Sequence, residues 1–248
     1  MFYSFGKILR LGIAWLDMIL LTLLLYLFSY LPRTLTGKIY HPLFRNWCTV
    51  FVRALNVDLR LHQHNTRPLP NHFILIANHP SALEDIGVPA LFDVYPLSKA
   101  EVRDWWILGR IAVASDTLFV QRESETSRKS ARQDIIDALK DGKNIALFPE
   151  GGCKGRRIAP FICGAFEISM ETGVPILPLF LHYESQDDFE WRDPQTLPHK
   201  FWHFLTTQNN KANYHVFDAL DPASFSDSDA YCDHGHTLYL KWQEKYLD

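Results

Sequence analysis

Short apolar runs alternate with amphipathic helical segments through the middle of the chain, between about residues 71 and 183. We predict five strands, at residues 73–77, 95–98, 117–120, 144–148 and 176–181. Helices are predicted at 127–140 and 164–172, and a glycine follows each within two residues. This alternation favours an α/β fold with a mainly parallel sheet flanked by helices. In such sheets, functional residues gather where the strands end.

The chain is strongly apolar between residues 8 and 31, where Arg10 and Asp17 are the charged residues. The uncharged part, residues 18–31, has 14 residues, whereas a membrane-spanning helix needs about 20. Two membrane arrangements fit: a span with Asp17 near one end, or a helix that enters a single leaflet. The alternative is a buried core helix.

A second helix is predicted at residues 41–55, with a polar stripe at intervals of four residues: His41, Arg45, Thr49 and Arg53. Residues 1–70 carry eight Lys and Arg against two Asp and Glu, a balance that anionic lipid surfaces attract. We therefore predict that residues 1–60 form a membrane-associated helical hairpin and residues 61–248 the α/β domain. An ordinary surface helix packed on the core is the alternative for the second helix.

Composition argues against several classes of protein. The net charge of −3 gives no support to nucleic-acid binding. The four cysteines include no C-x-x-C pair, and a chain of this size needs no disulfide framework, so we expect them reduced in a cytosolic environment. Neither metal-ligand spacing nor the motifs of serine hydrolases, phosphate loops or dinucleotide-binding sites appear. We expect no bound metal or cofactor.

The segment "ANHPSALEDIG", residues 77–87, follows a predicted strand and contains a histidine and two adjacent acids. His79 with Glu84 fits a general base whose tautomer a carboxylate fixes. If a helix begins at Ser81, the same residues also fit a capping box, in which Glu84 bonds the backbone N–H of Ser81. From these residues alone, both interpretations remain open.

Four segments resemble, in order, the motifs of the glycerol-phosphate/lysophospholipid acyltransferase superfamily. The first is "NHPSALED" at residues 78–85. The second, residues 98–123, contains Lys99 and ends in a Phe-x-x-Arg pattern at Arg122. The third is "LFPEGG" at residues 147–152, and the fourth is the Val-Pro-Ile-x-Pro strand at residues 173–181. The resemblance covers the α/β domain up to about His182.

The resemblance implies transfer of an acyl group from a thioester, carried on coenzyme A or acyl carrier protein, to a lipid hydroxyl. It implies that His79 is the base and Glu84 its partner. It also implies that Arg122 binds the anionic head of the acceptor and that Lys99 assists with the phosphate. The thioester is already activated, so this chemistry requires no metal.

The same resemblance implies that Glu150 and Gly151 shape the acceptor pocket. Two features depart from the family pattern. Glu84 stands where the family usually has Asp, with Asp85 next to it, and residues 152–154 read Gly-Cys-Lys where the family usually has Thr-Arg-Ser. The following run, "GRRIAPFICGAF", resembles the branch that includes lyso-ornithine-lipid acyltransferases.

The sequence thus predicts a membrane-bound O-acyltransferase with its active domain on the cytoplasmic side. Its expected reaction converts 1-acylglycerol 3-phosphate to phosphatidate, with membrane lipids, the lysophospholipid and the acyl carrier as its partners. Acylation of lyso-ornithine lipid or another lysolipid is the alternative reaction. A non-catalytic lipid-binding module with the same fold is the alternative class of protein.

Overall fold

The computed structural model describes residues 5–192 and 194–248. Its strands are Asp58–Gln63 (β1), Ile74–Ala77 (β2), Tyr95–Lys99 (β3), Leu118–Val120 (β4), Ile145–Leu147 (β5), Ile176–Tyr183 (β6) and Lys211–Val216 (β7). Its helices are Phe5–Phe28 (α1), Arg33–Ala54 (α2), Glu84–Leu91 (α3), Trp106–Ala114 (α4), Glu125–Lys140 (α5), Gly164–Thr172 (α6), Gln186–Phe189 (α7), Leu197–Thr206 (α8) and Ser228–Tyr246 (α9).

These strands form one sheet in the order β1-β7-β6-β2-β5-β3-β4. Neighbouring strands are parallel except β6 and β7, which are antiparallel. Strand β2 is central, with Ile74 paired to Ile145 of β5 on one side and to Ile176 of β6 on the other. The predicted α/β fold with a mainly parallel sheet and flanking helices is confirmed.

The apolar core covers both faces of the sheet. Leu75 and Ala77 of β2 belong to the layer that contains buried residues of α2 and α3. Ile74 and Ile76 belong to the opposite layer, with buried residues of α5, α6 and α9. All four residues of β2 are therefore buried, which explains why this strand is a continuous apolar run instead of an alternating one.

The five predicted strands coincide with β2 to β6 within two residues at each end, but β1 and β7 were not predicted. Strand β7 carries Asn213 and His215, which are polar yet buried. The side-chain oxygen of Asn213 lies 2.8 Å from Nε2 of His62 on β1. Polar side chains of the two strands thus pair with each other, and hydrophobic periodicity alone does not reveal such strands.

The division of the chain at residue 60, into a helical hairpin and an α/β domain, stays a prediction. Strand β1 begins at Asp58.

Helices α1 and α2 pack together as a hairpin. Nε1 of Trp47 donates to Oγ1 of Thr22 over 2.7 Å, and the Tyr40 hydroxyl donates to the carbonyl of Leu25 over 2.9 Å. The outer surface of α1 is apolar and exposed, with Ile8, Leu9, Ile13, Leu16, Leu20, Leu23 and Leu27 among the exposed side chains. α1 is long and apolar enough to cross a membrane, and an apolar surface of this extent indicates membrane association.

The polar stripe predicted for α2 does not lie on a free surface. His41 is buried, and its Nε2 lies 2.8 Å from Oδ1 of Asp93. Nε of Arg45 donates to the carbonyl of Phe92 over 3.0 Å. These polar groups contact the segment that follows α3, so α2 is held between α1 and the α/β domain. The alternative of a helix packed on the core describes this part of α2 better.

The expectation that all cysteines are reduced is wrong for one pair. Cys163 and Cys232 form a disulfide, with their Cα atoms 5.5 Å apart. Cys163 lies at the N-terminal end of α6 and Cys232 in α9. These cysteines are 69 residues apart in the sequence, and the packing of α9 beside α6 brings them together. Cys48 and Cys153 are free.

Candidate active site

The site begins where β2 ends. Asn78 follows the strand, and its amide side chain pairs with the backbone of Leu181 on β6. The Leu181 N–H donates to Oδ1 of Asn78 over 2.7 Å, and Nδ2 donates to the Leu181 carbonyl over 3.0 Å. This two-point contact fixes the direction in which the chain leaves the sheet. His79, the next residue, is thereby held at the carboxyl end of the central strand.

His79 and Glu84 are in direct contact. Nδ1 of His79 donates to Oε2 of Glu84 over 2.9 Å, and the carboxylate is fully buried. The Ser81 N–H donates to the same oxygen over 3.1 Å. Glu84 therefore makes both contacts that the sequence left as alternatives. Helix α3 begins at Glu84 instead of Ser81, so the acid stands in the first turn.

Tyr183, which the sequence analysis missed, completes the surroundings of Glu84. It ends β6, and its buried hydroxyl donates to Oε1 of Glu84. The carboxylate thus accepts hydrogen bonds on both oxygens. Burial raises the pKa of Glu84, and the hydrogen bonds from His79 and Tyr183 act in the opposite direction. The motif pattern gives no signal for this residue, because it lies just beyond the fourth motif.

The other nitrogen of His79 faces a thiol. Nε2 lies 3.4 Å from Sγ of Cys153, in the loop that follows β5. Burial alone lowers the pKa of His79, but hydrogen bonds to Cys153 and Glu84 outweigh it and raise the pKa well above 6.5. The imidazole ring also stacks on Phe148, with ring centroids 4.1 Å apart. Both nitrogens and one face of the ring are therefore fixed.

Glu150 and Gly151 support the site from the loop after β5. The buried Glu150 carboxylate accepts from the N–H of His79 on Oε1 and from the N–H of Ala159 on Oε2, both over 2.8 Å. Gly151 has a positive φ of 73°, and a Cβ there would lie 2.8 Å from Cδ1 of Ile162. Glu150 thus positions the His79 backbone, and position 151 requires glycine for conformation and space.

Lys99 and Arg122 reach the same end of the sheet, from the ends of β3 and β4. Nη1 of Arg122 lies 3.0 Å from the position that a Cβ on Gly152 would occupy. Desolvation by the surrounding protein raises the pKa of Asp85, whereas the positive charges of His79, Arg122 and Lys99 lower it. Among residues 5–192 and 194–248, the Arg122 side chain has no hydrogen-bond or salt-bridge partner. Arg122 is therefore available for an anionic ligand.

Arg156, in the run that follows the third segment, is already paired. Nε of Arg156 donates to Glu190 over 2.8 Å, and Nη2 donates to Asp187 over 2.9 Å. The part of the chain that the structure describes contains no group of three or more His, Cys, Asp or Glu side chains arranged to hold a metal ion.

Together, these residues place a histidine–carboxylate pair and two cationic side chains at the strand ends of a mainly parallel sheet. This combination defines an α/β protein with a histidine–acid pair at the carboxyl end of its central strand. The chain belongs to the acyltransferase family, whose sequence profile matches residues 58–182, and the resemblance to the glycerol-phosphate/lysophospholipid superfamily is confirmed.

Named relatives agree with this assignment. The chain is 27% identical over 134 residues to a 1-acyl-sn-glycerol-3-phosphate acyltransferase of Neisseria gonorrhoeae, with 52% of this chain and 51% of the relative covered. It is 31% identical over 154 residues to a lyso-ornithine lipid O-acyltransferase of Pseudomonas aeruginosa, with 62% and 58% covered. The chain thus spans about half the length of the curated relatives it matches.

A solved structure shares the fold. The crystal structure of the 1-acyl-sn-glycerophosphate acyltransferase from Thermotoga maritima matches with a TM-score of 0.68 and 19% sequence identity. The match covers 94% of this chain and 97% of the other. The helical hairpin is therefore compatible with the overall architecture of that protein.

Proposed function

We propose that this protein is an O-acyltransferase that moves an acyl group from a thioester donor to the hydroxyl of a lysophospholipid. The preferred acceptor is 1-acylglycerol 3-phosphate, and the product is phosphatidate. The observation that carries the proposal is the contact of His79 with the buried Glu84. Arg122, from the same end of the sheet, has a side chain without a hydrogen-bond or salt-bridge partner among the described residues. The family assignment and the names of the relatives support the same reaction.

His79 acts as the general base of the transfer. Glu84 accepts from Nδ1, so the lone pair stands on Nε2 and receives the proton of the acceptor hydroxyl as its oxygen attacks the acyl carbonyl. The ionised Glu84 stabilises the imidazolium that forms. The donor thiol leaves and takes up the proton. Tyr183 and the Ser81 N–H keep Glu84 in place through both steps.

The acceptor is recognised by its anionic head. Arg122 offers a planar guanidinium that can bond two phosphate oxygens at once, and Lys99 adds a second positive charge from the end of the neighbouring strand. Glu150 and Gly151 shape the floor of the acceptor pocket through the loop after β5.

A lyso-ornithine lipid is the second candidate acceptor. The 31% identity to the P. aeruginosa lyso-ornithine lipid O-acyltransferase favours it, as does the replacement of the family's Thr-Arg-Ser by Gly152, Cys153 and Lys154. Position 153 is Cys where the family usually has Arg, and the positive charge of these three residues lies on Lys154 instead.

The donor is acyl-CoA or acyl carrier protein, and the domain works on the cytoplasmic side of the membrane. Helices α1 and α2 hold the site at the lipid surface from which the acceptor comes. Fractionation of cells that express the full chain tests this attachment. Recovery of the full chain in the soluble fraction without detergent would contradict it.

The activity is tested with the purified full chain and a panel of lysolipids. Free thiol is measured with palmitoyl-CoA and with palmitoyl-acyl carrier protein, and the lipid product is identified by mass spectrometry. We expect phosphatidate from 1-acylglycerol 3-phosphate and no product with His79→Ala. If lyso-ornithine lipid is acylated faster, it is the acceptor instead of 1-acylglycerol 3-phosphate. Lipid binding without thiol release from either donor would instead identify a non-catalytic lipid-binding module.

A further inference from the structure

A cavity of about 810 Å³ lies where the helical hairpin meets the first strand. Three basic side chains line this hairpin cavity: Lys7 and Arg10 near the start of α1, and Arg53 near the end of α2. Because the chain turns back between the two helices, the start of α1 lies beside the end of α2. The residues that line this cavity differ from those of the acyl-transfer site, so it is a separate feature of the molecule.

The two arginines of the hairpin cavity are available for a ligand. Arg10 and Arg53 are exposed, and neither side chain has a hydrogen-bond or salt-bridge partner among residues 5–192 and 194–248. Two carboxylates also line the cavity. Asp58 is paired with Arg60, whose Nη2 lies 2.6 Å from its Oδ2, and Asp17 lies two turns along α1 from Arg10. Two unpaired guanidinium groups against one unpaired carboxylate leave a positive charge, which attracts an anion.

Asn56 adds a donor that lacks a partner. It follows α2 and lines the hairpin cavity. Its backbone is fixed, because its N–H donates to the carbonyl of Arg53 over 2.9 Å and its carbonyl accepts from Nδ2 of Asn210. Its own Nδ2 is buried without a hydrogen-bond partner in the part of the chain that the structure describes. A buried donor without a partner costs free energy, and an oxygen of a bound anion would remove that cost.

The hairpin cavity adjoins the apolar face of α1. Its lining residues on this helix recur at intervals of three or four, at positions 7, 10, 14 and 17, so they share one side of the helix. The exposed apolar side chains recur in the same way and form the next side, with Leu9, Ile13, Leu16 and Leu20 among them. Ile13 is exposed and also lines the cavity. A ligand with an anionic head and apolar chains would therefore find a matching surface for each part.

The hairpin cavity also lies at the edge of the sheet that carries His79. Strand β1 begins at Asp58, which pairs with Lys211 at the start of β7. Strand β7 is antiparallel to β6, and its Ala212 pairs with Tyr183 at the end of β6. Strand β1 is three strand spacings from β2, about 14 Å at the usual distance between strands. A lipid surface that covers the cavity therefore also meets the strand end from which His79 emerges.

We propose that the hairpin cavity binds the head group of an anionic phospholipid that is not a substrate. Arg10 and Arg53 hold its phosphate diester, since a guanidinium can bond two phosphate oxygens at once. Nδ2 of Asn56 is a further donor, and the acyl chains lie along the exposed apolar face of α1. The bound lipid holds the catalytic edge of the sheet at the membrane surface. This site goes beyond the proposed function, because no step of acyl transfer uses it.

The test uses the full chain, purified in a non-ionic detergent. It is titrated with phosphatidylglycerol, phosphatidylethanolamine or phosphatidylcholine of the same acyl chains, and the bound lipids are counted by native mass spectrometry. Each titration is repeated with Arg122→Ala, so that a lipid in the acceptor pocket is not counted. Inorganic phosphate and coenzyme A are added in separate competition experiments, because both offer phosphate oxygens without a lipid.

We expect one tightly bound phosphatidylglycerol per chain and weaker binding of the two zwitterionic lipids. Arg10→Gln and Arg53→Gln should each raise the Kd for phosphatidylglycerol by about 10–150-fold, the scale of one charge-assisted hydrogen bond. Arg10→Lys keeps the charge but not the planar fork, so its Kd should lie between those of wild type and Arg10→Gln. Lys38→Gln is the matched control, because it removes an exposed positive charge from the first half of α2, and it should leave the Kd unchanged.

Three results would overturn the inference. The first is a Kd for phosphatidylcholine or phosphatidylethanolamine as low as that for phosphatidylglycerol. The second is an equal loss in Arg10→Gln and Lys38→Gln, which would show a diffuse attraction instead of a site. The third is displacement of the lipid by inorganic phosphate or coenzyme A, which would assign the cavity to a soluble anion. Thermal unfolding of each variant separates lost binding from lost folding. None of these measurements depends on acyl transfer, so the proposed function is tested independently.

Discussion

Two buried histidines of this protein have pKa values that are shifted in opposite directions. His79 and His215 are each 6% exposed. Hydrogen bonds to Cys153 and Glu84 raise the pKa of His79 well above 6.5. Burial, together with the neighbouring histidines of β1 and β6, lowers the pKa of His215 to about 3. Two equally exposed histidines thus differ in pKa, one raised and the other lowered. The groups that contact each ring decide the direction of the shift.

The surroundings of His215 explain its low pKa. His62 of β1 and His64, just after the end of β1, stack on its ring, with centroids 4.6 and 5.2 Å away. Nδ1 of His215 lies 2.9 Å from Nε2 of His64. Its Nε2 is buried without a hydrogen-bond partner among residues 5–192 and 194–248. A protonated His215 would therefore face other histidines instead of a carboxylate, so the cluster acts as a structural contact between strands.

The largest expected effect comes from removing the carboxylate that distinguishes the two histidines. Glu84→Gln keeps the shape of the side chain but removes the charge that stabilises protonated His79. We expect kcat to fall by about 10²–10⁴-fold, measured as thiol release with lysolipid present. Asp85→Asn is the matched control, because Asp85 is solvent-exposed and makes no hydrogen bond to His79. A dead Asp85→Asn enzyme with an active Glu84→Gln enzyme would reverse the assignment.

The second effect tests the cation beside His79. Arg122→Ala should raise the KM for the lysolipid by about 10–150-fold, because one charge-assisted contact is worth about 1.5–3 kcal/mol. The KM for the thioester should change little. Arg132→Ala is the control, since Arg132 of α5 is already paired with Glu171 at 2.5 Å. An unchanged acceptor KM in Arg122→Ala would remove this residue from the binding site.

The third effect is the pH dependence of activity. A base works only when deprotonated, and the raised pKa of His79 places the acid limb of kcat/KM above pH 6.5. Activity should fall about tenfold for each pH unit below that pKa. The residual activity of Glu84→Gln should have its acid limb at lower pH, because a contact that raises the pKa is lost. A limb at the same pH in both proteins would show that another group controls it.

The smallest effect concerns stability and the histidine cluster. The folded pKa of His215 lies below its unfolded value of about 6.5, so its contribution to stability is present above pH 6.5 and is lost as the pH falls towards 3. The loss for this one group is about 1.4 kcal/mol per pH unit in that window. His215→Phe keeps the stacking on Tyr246, 4.1 Å away, and should flatten the slope.

This slope is measured as the free energy of unfolding in urea between pH 7.5 and pH 5. His199→Gln, on the exposed surface of α8, should leave the slope unchanged. An equal slope in wild type and His215→Phe would show that the cluster does not contribute.

Residues close together in the sequence were predictable where one local interaction decides their structure. Strands β2, β5 and β6 were visible as apolar runs, because both of their faces contact the core. The contact of Glu84 with His79 was one of two interpretations that the residues left open, and the family resemblance favoured it. The chain turns into α3 between the two residues. The predicted parallel sheet implied that functional residues gather where the strands end.

The tertiary structure decided what depends on residues far apart in the chain. Tyr183 reaches Glu84 over 99 positions, and Cys153 reaches His79 over 74. Cys163 meets Cys232 because α9 packs beside α6. Strand β7 is stable with a buried Asn213 because β1 supplies the partner for its side chain. Local periodicity reports which side of an element is buried, whereas the partner that makes a buried polar group stable is set by the packing of the whole chain.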